Sequence, residues 1–150
     1  MLISGSNAGY GSQGERLVAG VVPLSGDKTK VLVIQSTRRG GWVFPKGGWE
    51  TDEGTAQEAA RREAWEEAGV VCTVQRDLGK IPEMRSAQQL TKDAPKALYQ
   101  FYEVSVDREA AQWPEMHKRG RQWMSYQQAK QALATRPELM EALNRSSVVR

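Results

Sequence analysis

Short apolar runs alternate with polar punctuation along this chain. "RLVAGVVPL" and "KVLVIQST" are rich in β-branched residues and are separated by "SGDKTK", whose Gly26-Asp27 pair marks a turn, so the pattern predicts a β-hairpin. "WVF" reads as a brief strand that stops at Pro45. From Thr55 to Ala68 the composition shifts to Ala, Glu, Arg and Gln without Gly or Pro, which favours helix, and Gly69 supplies the stop. Thr55 with Glu58 three residues later matches a capping box. Ala56, Ala60, Ala64 and Ala68 recur every four residues, a narrow stripe that lets the helix sit close against a sheet while its opposite side carries charge.

"VVCTVQRDLGKI" reads as a strand with a turn or bulge at Gly79, "PEMRSAQQLTKDAP" as a polar loop, "ALYQFYEVSV" as a clear strand and "RQWMS" as one more short strand. "YQQAKQALAT" and "PELMEALNR" read as two short helices, or one interrupted at Pro137 with a fresh start there. Regular strand-helix alternation is absent, so the expected fold class is α+β, a sandwich of strands and helices and not a doubly wound sheet. "MLISGSNAGYGSQGE" has no apolar periodicity and reads as a flexible tail over residues 1–15, leaving one domain over 16–150.

Composition narrows the function classes. Hydrophobic residues make up 39% and charged residues 26%, and no apolar run nears the ~18 residues of a membrane span, so no membrane partner is expected. The single cysteine, Cys72, excludes an internal disulfide and reads as a small buried residue on a strand. A secretory signal is not recognisable at Met1 to Tyr10, so the expected location is the cytoplasm or nucleus, with export after removal of a signal left open. A net charge of +3 with no recognition motif argues against nucleic acid. Distribution says more: acids gather between Glu50 and Glu67, bases at Arg38-Arg39, Lys46 and Lys118-Arg119-Arg121, a split that suits cations on one side of a site and a polyanion on the other.

The acidic stretch poses a chemical question. On a helix Glu63, Glu66 and Glu67 project from neighbouring positions on the exposed side, and like charges at that spacing repel unless a cation neutralises them. A hard divalent ion, Mg2+ or Mn2+, suits oxygen ligands. A helix laced with salt bridges is the other reading, Arg62 pairing with Glu66 and Glu58 with Arg62. The loop "PKGGWETDEG" tips the balance, because Gly47 and Gly48 expose backbone to which a metal or phosphate can come close.

"REAWEEAGV", Arg62 to Val70, resembles the second half of the Nudix box, whose pattern is G, five residues, E, seven residues, R-E-U-x-E-E-x-G-U with U apolar. With Gly47 and Glu53 as the first G and E, eight residues precede Arg62, one more than the pattern. That length, with "ERLVAG", "FPKGGWETDE", "HKRGRQW" and "RPELMEALNR", is similar to fungal diphosphoinositol polyphosphate phosphohydrolases.

The resemblance implies the Nudix fold, a mixed sheet sandwiched between helices (α/β/α), and diphosphate hydrolysis by a water nucleophile with one to three divalent ions. By position it makes Glu63 and Glu67 metal ligands with the Gly47 carbonyl, and Glu66 the general base or a further ligand. Arg62 orients the glutamates and Glu53 supports the helix. Arg16, Ser36, Arg38, Arg39, Lys46, Gly48, His117, Lys118, Arg119 and Arg121 are the candidates for holding a small polyphosphorylated substrate, an inositol pyrophosphate with diadenosine polyphosphates as a second activity. A monomer is expected. Trp65, Tyr99, Phe101 and Tyr102 read as core, with Trp49 evenly placed between core and substrate stacking. The alternatives are a nucleotide-directed hydrolase of the same family and a non-catalytic inositol polyphosphate sensor.

Overall fold

A computed structural model describes residues 14–49, 54–84 and 96–150. Among them seven strands form one sheet: β1 (Arg16–Leu24), β2 (Val31–Gln35), β3 (Trp42–Val43), β4 (Lys46–Gly48), β5 (Val70–Pro82), β6 (Ala97–Glu109) and β7 (Arg121–Met124). Its path runs β3-β2-β1-β6-β5, with β4 paired to β1 and β7 to β2. The β1–β6 pair is parallel, from Arg16↔Ala97 to Leu24↔Ser105, and the other pairs are antiparallel, so the sheet is mixed. Helices α1 (Ala56–Glu63), α2 (Tyr126–Ala132) and α3 (Pro137–Arg145) complete the α+β fold. Pro137 opens α3, where its missing N–H costs nothing.

Strand β1 explains where the core sits. Val18 to Leu24 are all buried although successive side chains face opposite sides, so both faces of the sheet are covered at its centre. Helix α1 packs on β1, β4 and β6, α2 on β2 and β7, and α3 on β5. Phe101 lies edge-on to Phe44, with ring centroids 6.4 Å apart. Cys72 is buried on β5, as its surroundings in the sequence suggest. The bulge expected at Gly79 is present: its φ is +86° and the β5–β6 register shifts between Asp77 and Lys80. Among the described residues no helix is long and apolar enough to cross a membrane.

Two expectations change. The "KGG" of the expected loop is strand β4, registered as Gly20↔Lys46, Ala19↔Gly47 and Val18↔Gly48. Gly20 permits this approach, since a Cβ there would lie 2.7 Å from the Phe101 ring and 2.8 Å from Pro45 O. Trp65 is 36% exposed and not core, because it stands one residue, about 100° of helix rotation, beyond the buried alanine stripe. Trp49 is partly buried against the core.

Candidate active site

Thr55 caps α1, its side chain accepting from Glu58 N at 3.1 Å. All four stripe alanines are buried, which brings the helix close to the sheet. After Glu63 the helix widens into a π-helical turn, Ala64–Ala68, closed by Gly69 in the left-handed region at φ +67°. Single π turns recur at functional sites.

Glu63 stands seven residues after Ala56 and shares the stripe's face; it is 7% exposed, which corrects the expectation that all three glutamates occupy the solvent side. Its carboxylate lies against Gly47, where a Cβ would collide with it. Glu67 Oε1 accepts from Lys46 N at 3.1 Å and lies 3.8 Å from Arg119 Nη1. Glu66 turns instead to Arg62, whose Nη1 is 3.1 Å from its Oε1. The other arm of Arg62 reaches Glu63 Oε2 at 3.1 Å and donates to Gly48 O at 3.1 Å. One guanidinium thus ties two glutamates to the β4 backbone. Of the two salt bridges offered by the alternative reading, Arg62–Glu66 is formed.

Burial raises the Glu63 carboxyl to about 8, with the charge of Glu67 adding to it and Arg62 opposing. Burial also raises Glu67, against the Lys46 amide and Arg119. A buried and a partly buried carboxylate that resist ionising together, with a backbone cradle that a methyl group would fill, fit a divalent cation. Their oxygen-only donors suit Mg2+ or Mn2+. Among the described residues no three His, Cys, Asp or Glu side chains converge as a metal cluster, so the fit rests on the Glu63–Glu67 pair with the Gly47 backbone.

This pair opens on a cavity of about 600 Å3 whose wall carries Arg16, Arg38, Arg39, Lys46, Lys118, Arg119 and Arg136. Ser36 shapes part of it, its Oγ accepting from Arg38 N at 3.4 Å and Arg39 N at 3.3 Å. Burial pushes the Lys46 ammonium down in pKa, with Glu67 opposing. Arg136 is lowered first by burial and then by the neighbouring charge of Arg39. Among the described residues Arg119 Nε is a buried polar atom left without a hydrogen-bond partner. Cations crowded in this way, one with an unmet donor, favour an anionic ligand.

The structure brings Glu63, Glu67, Gly47, Arg16, Ser36, Arg38, Arg39, Lys46, Lys118 and Arg119 to one cavity, and leaves Glu66, Gly48, His117 and Arg121 off its wall. His117 is exposed. Arg121 is taken up elsewhere: Nη1 donates to Ala68 O at 2.8 Å and Nη2 to Ala110 O at 2.7 Å, so its neighbours in sequence misled. Glu53 lies outside the described residues. Arg136 was not singled out from sequence, although its place before Pro137 puts it at the turn between α2 and α3, facing the cavity. Tyr99 is also on the wall and only partly buried, unlike Phe101 and Tyr102, which are core as expected.

A family model of the NUDIX domain matches residues 14–143. Nudix hydrolase 16, mitochondrial, of Arabidopsis thaliana is 40% identical over 130 residues, covering 77% of this chain and 71% of that protein. Nudix hydrolase 18, mitochondrial, of the same plant is 40% identical over 135 residues, covering 81% and 70%. Among solved structures, a NUDIX hydrolase from Nitrosomonas europaea superposes with a TM-score of 0.74 at 16% identity over 87% of each chain, a likeness of fold. The chain, with Arg62 to Ala68 on α1 and its π turn, belongs to the Nudix family.

Proposed function

We propose that the protein is a divalent-metal-dependent hydrolase of diphosphoinositol polyphosphates, releasing the β-phosphate as inorganic phosphate. The observation that carries this reading is the placement of seven cationic side chains around one cavity that the Glu63–Glu67 pair also lines. They come from β1, the turn after β2, β4, the segment before β7 and the start of α3. A ring bearing phosphates in several directions matches cations arriving from several elements better than a linear chain does.

A bound divalent ion would neutralise phosphate oxygens and make water a better nucleophile. Glu63 and Glu67, with the Gly47 backbone, would hold it. Glu66, once it turns from Arg62 toward the cavity, takes the proton as the water oxygen bonds to the β-phosphorus and the bridging P–O bond breaks, while Arg62 keeps its hold on Glu63 and the Gly48 carbonyl. Arg119, with its unmet Nε donor, and Arg136 bind the remaining phosphates.

Tyr99 favours a second reading, a dinucleoside polyphosphate hydrolase. Its ring shares the cavity with Glu138, an aromatic surface beside a hydrogen-bond acceptor of the kind that reads a nucleobase. The cytoplasmic expectation gains nothing from the plant relatives, which are named as mitochondrial. Turnover of diphosphoinositol phosphates and diadenosine polyphosphates, measured side by side with and without Mg2+, separates the readings. Mg2+-dependent phosphate release from the inositol substrate at the higher kcat/KM is expected; efficient cleavage of the nucleotide alone overturns the assignment.

A further inference from the structure

The π-helical turn carries Glu66 and Glu67, and the last carbonyls of a helix have no partners within it. Here one segment of chain takes them up in succession. Glu115 N donates to Glu66 O at 3.1 Å, Trp113 Nε1 to Glu67 O at 3.2 Å, Arg121 Nη1 to Ala68 O at 2.8 Å, and Ala110 N to Gly69 O at 2.8 Å. The guanidinium of Arg121 stacks 4.1 Å above the Trp113 ring, and its charge at the end of a helix is favoured by the helix dipole. Gly69 completes the fit, since a Cβ there would lie 2.7 Å from that ring.

We propose that Trp113 and Arg121 are positioning residues for the hydrolytic reaction. By holding the carbonyls of Glu67 and Ala68 they fix the rotation of the π turn, and with it the direction in which the Glu67 carboxylate projects. Relaxation of the turn to α-helical geometry would rotate the following residues by up to about 100° and take Glu67 away from Lys46 N. The same segment continues into Lys118 and Arg119, so one clamp sets the glutamates and the phosphate-facing cations in a common frame. The inference rests on the metal-dependent hydrolase reading and not on the identity of the substrate.

Trp113→Phe removes the indole donor and keeps a ring; Arg121→Gln removes the charge, and Arg121→Lys restores it without the planar fork. Mn2+ is titrated into each protein alone and followed by electron paramagnetic resonance, with melting temperature, kcat and KM measured in parallel. Arg121→Gln is expected to weaken Mn2+ binding about tenfold, the scale on which supports of metal ligands act, with Trp113→Phe smaller and Arg121→Lys a partial rescue. The value of kcat should fall while KM stays within about twofold. A raised KM with kcat and Mn2+ affinity intact would make Arg121 a substrate contact and overturn the proposal. A lowered melting temperature with both intact would reduce the clamp to plain structural support and overturn it equally. Should Arg121→Gln not fold, Trp113→Phe decides. Failure to cleave the inositol substrate overturns that assignment alone, because the Mn2+ titration needs no substrate.

Discussion

Replacing Gly47 with alanine probes the metal cradle with one methyl group. Gly47 is paired with Ala19 in the sheet and is not among the positive-φ glycines, so alanine is compatible with its backbone. The added Cβ would collide with the Glu63 carboxylate, whose Oε1 would be 2.6 Å away. Glu63 is buried and held by Arg62, so its carboxylate yields by leaving the Gly47 backbone. Displacing one oriented ligand costs roughly 10- to 100-fold in metal affinity, about 1.4–2.8 kcal/mol. Without metal the fold should change by about 1 kcal/mol or less, since the clash falls on the end of a side chain and alanine favours a strand over glycine. Mn2+ titration and thermal unfolding in a chelator read the two effects separately. Unaltered Mn2+ affinity and turnover in Gly47→Ala would refute the cradle.

Three further outcomes follow from the same structure. Glu63 keeps its proton to about pH 8 when folded against an ordinary 4.5, so the folded form binds more protons between those values. Stability of the metal-free protein should therefore decline as pH rises through that window, and Mn2+ affinity should climb with pH up to about 8; flat profiles in both would contradict the assigned burial. Arg136→Ala should raise KM for the inositol substrate about tenfold with kcat within twofold, and an unchanged KM would remove Arg136 from binding. Glu103, 1% exposed, accepts from Ser147 N and Ser147 Oγ at 2.7 Å each and ties down the C-terminal segment. Burial raises its pKa, but those hydrogen bonds with Arg76 and Lys28 outweigh it and hold the group below its ordinary 4.5, so its contribution is present above that pH and lost as pH falls through the folded value. Glu103→Ala should lower unfolding free energy by ~2–4 kcal/mol in chemical denaturation, and a change under ~1 would refute its role.

Local pattern carried much of the fold. The hairpin strands, the Thr55 cap, the alanine stripe and the Pro137 restart each depend on neighbours in sequence, and each is present. Strand β4 was hidden because "KGG" has no strand-forming side chain; its pairing depends on Gly20, 26 positions before Lys46. The parallel β1–β6 pair is likewise a contact between distant segments. In the site, chemical type was legible and direction was not. Glu63 could have been placed inward from its seven-residue spacing to Ala56, whereas Arg121 and Arg119, two apart in one basic cluster, serve different surfaces. Arg136 reaches the cavity through the turn between α2 and α3, which no local pattern reveals.

Crystals grown with Mn2+ and measured at its absorption edge test the central claim most directly. The account predicts an anomalous peak between the Glu63 and Glu67 carboxylates and the Gly47 backbone, on the side facing the cationic cavity. No peak there, with Glu63 still against Arg62 and Glu67 still on Lys46 N, would contradict it.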